Sequence, residues 1–530
     1  MVLISLVNQI KDSNLCKDLL KRSSRENKLI LKGTSRVANS LIVSALAHSE
    51  NNPLIIIVPT FEDAGAWYSL LNLMGWEKIY VYPTSESSPY DNSPLSTEIK
   101  WGQIQVLTEL VKTKDHNKIC IIATERSLQP HLPPSNELKK VCITLQPGQD
   151  YDLEELSIRL SKIGYTRVNT VEQEGSWSRR GDILDIYPVN SEIPVRLEFF
   201  GNNLEKIKEF DTTSQRSQCN VSQIYIAPVD LNYLIAEELL KSDSNILQNF
   251  VDEDFKNDLV NGNITESTKR FLGFLWKDPS SLIDYLPLNS FLIIDDKQQC
   301  VAHANNWLEN ANYSYQQFQE SINLEHRNFA LMHKPINEIL VEIQEFNGLE
   351  ITSLAMKLNE KNYHEVSNRT LEITPNQFGK LSQSIKAHLN SKNSVYLLSA
   401  QPSRAVALLE EHECPAKFVQ NPNDFNSIKN LISNNTPIAL KSSKEAPIEG
   451  VYLPTFKIVL FTDKEFFGQQ SLVNNAYIRR RKKSSSSTID PYKLHAGDYV
   501  VHRTHGIGKF NRIDKITINS QTRDYLVVKY

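Results

Sequence analysis

The sequence predicts an α/β multidomain protein: a doubly wound module interrupted by a smaller α+β domain, a second α/β domain, and a β-rich C-terminal piece. Three observations carry this expectation. From Lys28 to Thr124, apolar runs of strand length alternate with segments of helical spacing. The texture then changes to short segments of period two around residues 195 to 210. A buried-strand pattern, Phe291-Leu292-Ile293-Ile294-Asp295-Asp296, returns later and predicts that the first sheet resumes after the smaller domain.

In order, the first module reads as strand Leu29 to Leu31, helix Val37 to His48, strand Leu54 to Val58 and helix Glu62 to Trp76. Strand Ile79 to Tyr82, helix Glu98 to Lys112 and strand Ile119 to Ala123 follow. In the smaller domain a helix is expected at Leu153 to Ile163. Val195 to Phe200 and Leu204 to Phe210 flank Gly201-Asn202-Asn203, which reads as a hairpin with a three-residue loop. A second α/β unit has strands at Val395 to Leu398, Pro437 to Leu440 and Lys457 to Thr462. The expected divisions are 1–129 and 216–350 for the two parts of the first module, with 130–215 inserted between them. The second α/β domain takes 365–467, a basic and serine-rich linker 468–490, and the β-rich piece 491–530.

At 530 residues the chain has room for roughly three to five domains, each with its own core. A net charge of -4 excludes a protein that coats nucleic acid over its whole surface. The six cysteines are far apart and lack the short spacing of zinc or redox motifs, so they read as buried thiols in a reducing compartment. No apolar run is long enough to span a bilayer and no cleavable leader pattern opens the chain, which points to the cytoplasm and no membrane partner. No metal site is expected; His502 and His505 lack an accompanying carboxylate or cysteine cluster.

Gly33-Thr34-Ser35-Arg36-Val37-Ala38-Asn39-Ser40 lies where a phosphate loop of the form GxxxxGK[ST] would follow the first strand. Such a loop needs its second glycine so that backbone N–H groups wrap the phosphates, and its lysine to neutralise them. Ala38 and Asn39 stand in those places, and only Ser40 could still reach a magnesium ion. Downstream, Asp295-Asp296-Lys297-Gln298 suits no familiar hydrolysis set. The loop is therefore read as degenerate, with no catalytic residue and no cofactor.

Tyr165-Thr166-Arg167-Val168 leads into Glu172-Gln173-Glu174-Gly175-Ser176-Trp177-Ser178-Arg179-Arg180-Gly181-Asp182-Ile183-Leu184-Asp185-Ile186-Tyr187-Pro188. With Phe199-Phe200-Gly201 and Phe210 to Ser217, this resembles the domain by which the excision-repair subunit UvrB and the bacterial transcription-repair coupling factors (the Mfd family) each bind UvrA. An arginine pair beside an exposed aromatic suits a protein interface, because guanidinium forks take carboxylates bidentately and the indole adds rigid apolar area. Arg167, Trp177, Arg179 and Arg180 are the candidate UvrA contacts. The resemblance places Arg167 and Arg180 on family contact positions, while Ser178 stands where UvrB has an arginine. Only Tyr82 to Asp91 is read as separating the third strand from the next helix, leaving no room for UvrB's DNA-threading hairpin. The coupling factor is favoured over UvrB on that ground.

Arg479-Arg480-Arg481-Lys482-Lys483 and the serines after it read as a solvated linker, with phosphate contact as the alternative. Gly497-Asp498-Tyr499-Val500-Val501-His502 and His505-Gly506-Ile507-Gly508-Lys509-Phe510 resemble the Tudor-like, CarD-like module that docks on the RNA polymerase β subunit. Gly497, Gly506 and Gly508 are expected in turns, and Val500, Val501, Ile507 and Phe510 in a small barrel core. Lys515 to Ile518 would expose an edge, and Ile516 fits a polymerase contact as well as a core position. Arg523 to Tyr530 reads as an unfinished strand, so the barrel is expected to be partial and the chain to be the front part of a longer protein.

Together the resemblance implies a UvrB-like degenerate P-loop (RecA-like) module with its UvrA-binding insertion, a second α/β domain and a truncated polymerase-binding module. It further implies that the complete protein acts in transcription-coupled nucleotide excision repair. It would release RNA polymerase stalled at lesions by ATP-driven translocation on double-stranded DNA and recruit UvrA, with ATP and magnesium in a motor absent from this chain. The competing reading is a divergent ATP-dependent helicase or UvrB-like repair subunit, against which Asn39 in the lysine position speaks.

Overall fold

The computed structural model describes residues 2–23, 29–85, 88–91, 95–112, 118–242, 253–276, 279–321, 330–352, 363–442, 448–468, 495–502, 506–518 and 521–529. Two helices, α1 (Ile4–Lys11) and α2 (Asn14–Arg22), precede the first sheet. Then come β1 (Leu29–Lys32), α3 (Arg36–Glu50), β2 (Leu54–Val58), α4 (Phe61–Leu71), β3 (Lys78–Tyr82), α5 (Thr97–Lys112) and β4 (Ile119–Thr124). The insertion follows, and β13 (Phe291–Asp295), α9 (Lys297–Ser321), β14 (Asn347–Thr352) and β15 (Tyr363–Glu365) return to the same sheet. Its order is β15-β1-β14-β13-β2-β4-β3, and all pairings are parallel. The late strand β13 thus sits beside β2 in the middle of the sheet, and the sheet does resume after the insertion.

Burial explains why β2 and β4 are apolar at every position. Ile55, Ile57, Ile121 and Ala123 face one core, shared with the insertion. Ile56, Val58, Cys120 and Ile122 face the other, beneath α3 and α4. Ser35 and Thr60 cap α3 and α4, each accepting a backbone N–H three residues on, which is worth about 1 kcal/mol per cap. The α4 helix ends at Leu71 rather than Trp76; Gly75 then takes φ +94° against the side chain of Ile4, where a larger residue would collide.

The insertion opens with α6 (Ser135–Val141), β5 (Ile143–Leu145) and α7 (Leu153–Lys162). Six strands follow: β6 (Thr166–Arg167), β7 (Ser176–Arg180), β8 (Ile183–Tyr187), β9 (Val195–Phe200), β10 (Asn203–Phe210) and β11 (Ser217–Asn220). They form one sheet in the order β11-β10-β9-β8-β7-β6, antiparallel except for β6 with β7. A strand β12 (Ile224–Ile226) pairs with β5, and α8 (Leu231–Lys241) leads away. The β9–β10 hairpin is tighter than its sequence suggested. Phe200 pairs with Asn203, leaving a two-residue connection in which Gly201 takes φ +62°.

The second α/β unit comprises β16 (Arg369–Thr370), α10 (Phe378–Asn390), β17 (Ser394–Ser399), α11 (Pro402–Glu410), β18 (Lys417–Phe418), α12 (Phe425–Ser433), β19 (Ile438–Lys441), β20 (Val451–Leu453) and β21 (Ile458–Thr462). Its order is β16-β20-β21-β17-β19-β18, with the last four strands parallel. One apolar core runs from α1 and α3 into Tyr396, Leu440 and Ile458 of this sheet. Gln9 ties the two units together, donating to the Ser394 hydroxyl at 3.0 Å and accepting from the Tyr396 hydroxyl at 3.2 Å.

Three antiparallel strands close the described chain: β22 (Tyr499–His502), β23 (Gly506–Ile518) and β24 (Gln521–Lys529). Phe510 is buried, but Ile507 is 69% exposed and so does not fill a core here. Gly508 lies within β23, paired with Val500, rather than in a turn. Of the six cysteines five are buried, and Cys219 on β11 is exposed, against expectation. No helix among the described residues is long and apolar enough to cross a membrane.

Candidate protein-interaction site

The degenerate phosphate loop is filled by its own side chains. Gly33, at φ +74°, turns the chain from β1 toward α3, and its carbonyl accepts from the Asn368 amide. The Asn39 side chain is buried and spans the loop to the hydroxyl and carbonyl of Thr34. Ala38 is fully buried. Ser40, also fully buried, donates its hydroxyl back to the Val37 carbonyl at 2.9 Å, so it does not reach out toward a magnesium ion as its position suggested. Glu365 stands beside Gly33, its Oε1 3.9 Å from where a Cβ would be. A carboxylate there opposes a phosphate.

The two aspartates after β13 are equally engaged. Asp295 accepts from the Trp67 indole at 2.7 Å and lies 3.9 Å from Arg36, whose guanidinium meets Asp63 at 2.6 Å. Burial pushes the Asp295 carboxyl up, while Trp67 and Arg36 pull it back. Asp296 accepts from the Gln299 N–H at the start of α9, and Lys297 pairs with Glu350 at 2.7 Å. These residues do not fit a magnesium nucleotide. Among the described residues no group of three or more His, Cys, Asp or Glu side chains could hold a metal ion.

The arginine-rich strand of the insertion offers the opposite arrangement. Alternation along β7 divides its residues between two faces. Trp177 is opposite Ile186, and Arg179 opposite Leu184, on the face that packs against α7. Ser178 and Arg180 occupy the outer face, opposite Asp185 and Ile183; there Ser178 and Asp185 are buried, while Arg180 and Ile183 are exposed. Trp177 is only 2% exposed, which overturns its reading as an exposed aromatic anchor. The physical reason is register: Trp177 is in phase with Ile186 and Val195, so the sheet carries it into the core.

Each arginine is held differently. Arg167, exposed on the edge strand β6, lies opposite Trp177 with its guanidinium carbon 5.3 Å from the indole centroid, a cation–π contact that covers the buried ring. Arg179 is half-buried and donates to the Gly181 carbonyl at 3.2 Å. It also adds to the field on Asp152, whose carboxyl is held low first by the backbone N–H of Glu155 and Glu154. Arg180 is exposed and donates to the Asn169 carbonyl at 2.8 Å and the Thr170 hydroxyl at 3.0 Å. Both acceptors are neutral, so the side chain is oriented, and among the described residues no carboxylate pairs with it.

The outer face also carries residues that sequence reasoning passed over. Ile183, directly opposite Arg180, is 39% exposed, and Phe200 at the hairpin is 77% exposed. The signal for Ile183 was its period: it shares a face with Asp185, not with the core residues Leu184 and Ile186. Beside them Arg196 grips Asp185 bidentately at 2.7 and 2.9 Å, and Lys208 grips Glu198 at 2.8 and 2.9 Å. The sheet therefore presents a braced polar surface with apolar points on it.

In the C-terminal strands Ile516 pairs with Arg523 across β23 and β24. The basic run at 479–483 and His505 lie outside the described residues.

Comparison with known proteins bears on each of these regions. Residues 143–231 match the family model of the UvrB interaction domain. Residues 370–468, which hold the second α/β unit, match the Rossmann-like domain of cyanobacterial Mfd, and residues 494–530 match the CarD-like/TRCF RID domain. Nearly the whole chain is similar to transcription-repair-coupling factors. That of Bacillus subtilis (strain 168) is 26% identical over 529 residues, covering 94% of this chain and 43% of the relative. That of Staphylococcus aureus (strain MRSA252) is 23% identical over 554 residues, covering 99% of this chain and 45% of the relative. The chain thus spans less than half the length of these coupling factors.

Proposed function

We propose that this chain is an adaptor for transcription-coupled nucleotide excision repair, binding UvrA through its insertion and RNA polymerase through its C-terminal strands. The observation that carries this reading is the joining, in one chain, of a UvrB interaction domain and a CarD-like/TRCF RID domain to a phosphate loop occupied by its own side chains. Arg180 provides the principal ionic contact to UvrA, with Ile183 as its apolar neighbour and Arg167 and Arg179 at the margin. Trp177 supports the strand from beneath. The edge of β23 around Ile516 meets the polymerase β subunit. Release of a stalled polymerase by ATP-driven translocation on double-stranded DNA belongs to the part of the coupling factors that this chain does not span. A cytoplasmic location is part of this reading.

The test is a titration of UvrA into the purified chain. Arg180→Ala is expected to weaken binding about 10- to 100-fold, the worth of one charge-assisted contact at an interface, with thermal melting unchanged. Unaltered affinity would refute the assignment of this face.

A further inference from the structure

The second α/β unit is short of helices on one face of its sheet. Along β17, β19 and β21 the side chains alternate between two cores. Val395, Leu397, Val459 and Phe461 enter the unit's own core, beneath Leu381 and Ile385 of α10 and Ala405 and Leu409 of α11. Tyr396, Leu398, Ile438, Leu440, Ile458 and Leu460 point the other way, and each is at most 3% exposed. Of the unit's described α-helices only α12 packs on that side, through Ile428, Leu431 and Ile432.

A parallel sheet apolar on both faces needs both covered. Here the layer is completed from the start of the chain. α1 and α3 share the core of those six side chains, with Leu6, Val7 and Ile10 of α1 fully buried, as is Leu3 before it. The first module grips α1 on one side, where the Leu3 N–H donates to the Leu73 carbonyl at 2.8 Å and Ile4 lies against Gly75. Gln9 reaches the other way and meets Ser394 and Tyr396 of β17. The chain between the units adds a second tie: β15 pairs with β1, Asn368 meets the Gly33 carbonyl, and β16 pairs with β20. Relative motion is the default for units in polar contact, and an extensive apolar interface removes it.

We propose that α1 is a clasp: a helix of the first module that also serves as a covering helix of the second sheet, so that the two units unfold as one. Losses in the second unit are then felt by the insertion, which is packed on the opposite face of the first sheet. The clasp is independent of either proposed partner.

Tryptophan fluorescence and hydrogen exchange of the 530-residue chain in urea test it. All six tryptophans, from Trp67 to Trp307, precede the second unit, so fluorescence reports the first module and its insertion, while exchange of the β17 amides reports the second unit. One shared midpoint is expected. Leu409→Ala, in the second unit's own core, should lower both midpoints by the same amount, and Ala405→Gly on the same helix serves if that variant does not fold. Gln9→Ala, at a half-buried position of α1, should raise β17 exchange about tenfold, the loss of roughly one net hydrogen bond, and lower the fluorescence midpoint with it. Two separate midpoints in the parent chain, a fluorescence midpoint that the α11 substitution leaves unmoved, or unaltered β17 exchange in Gln9→Ala would each overturn the proposal.

Discussion

At the phosphate loop Arg36 meets two carboxylates, Asp63 and Asp295, whereas on the outer face of the insertion Arg180 meets a carbonyl and a hydroxyl. Both guanidiniums are held by hydrogen bonds or ion pairs, but among the described residues only that of Arg36 meets carboxylates. In the first region the side chains close on one another, and in the second Arg180 and Ile183 stand exposed on a sheet face. What separates them is the charge of the acceptor, not the presence of arginine.

The largest expected effect breaks the second region from below. Trp177→Ala removes a fully buried indole from the core beneath the arginines and should cost about 3–5 kcal/mol in chemical denaturation. Trp177→Phe keeps most of the apolar contact and removes an indole N–H that has no partner among the described residues. It should cost less than about 1.5 kcal/mol. Similar losses for the two variants would show that the ring does not serve as core. Arg180→Ala should do the reverse, leaving denaturation within about 0.5 kcal/mol of the parent while weakening the UvrA complex.

A smaller effect probes the interior at the end of β4. Glu125 is 1% exposed, and burial raises its pKa from 4.5 to about 7, with Arg126 at 3.5 Å pulling it back. Between these two values the folded chain holds a proton that the unfolded chain has released, so this group lowers stability as pH rises through that window. Glu125→Gln should therefore gain about 1–3 kcal/mol over the parent at pH 8 and little at pH 5. His131 and His333, lowered to about 4 by burial, act in the opposite sense, losing stability as pH falls below 6.5. The measurement must accordingly compare variant and parent at each pH; a gain at pH 5 as large as that at pH 8 would contradict the assignment.

The smallest expected effect is none at all. Restoring the consensus by Ala38→Gly with Asn39→Lys should not bring saturable ATP binding at millimolar concentration. Asn368 still occupies the Gly33 carbonyl, Glu365 still faces the loop, and Arg36 still neutralises Asp295. Tight nucleotide binding by that variant would mean that the two substitutions alone had closed the loop.

The sequence by itself determined the alternation of the first module, because β2 and β4 are apolar at every position and α3 to α5 follow helical spacing. It also determined that the loop lacks its lysine, a matter of composition at one position. The return of the chain at β13 was legible for the same reason: a strand buried on both faces must be apolar throughout. What only the tertiary structure decided depends on phase and on distant partners. Whether Trp177 faces solvent or core is settled by its pairing with Ile186, and whether Ser40 is free is settled by how tightly α3 is enclosed. Arg180 and Arg36 read alike as letters in a chain. They differ because folding brings aspartates 27 and 259 residues along the sequence to one, and a carbonyl and a hydroxyl about ten residues back to the other.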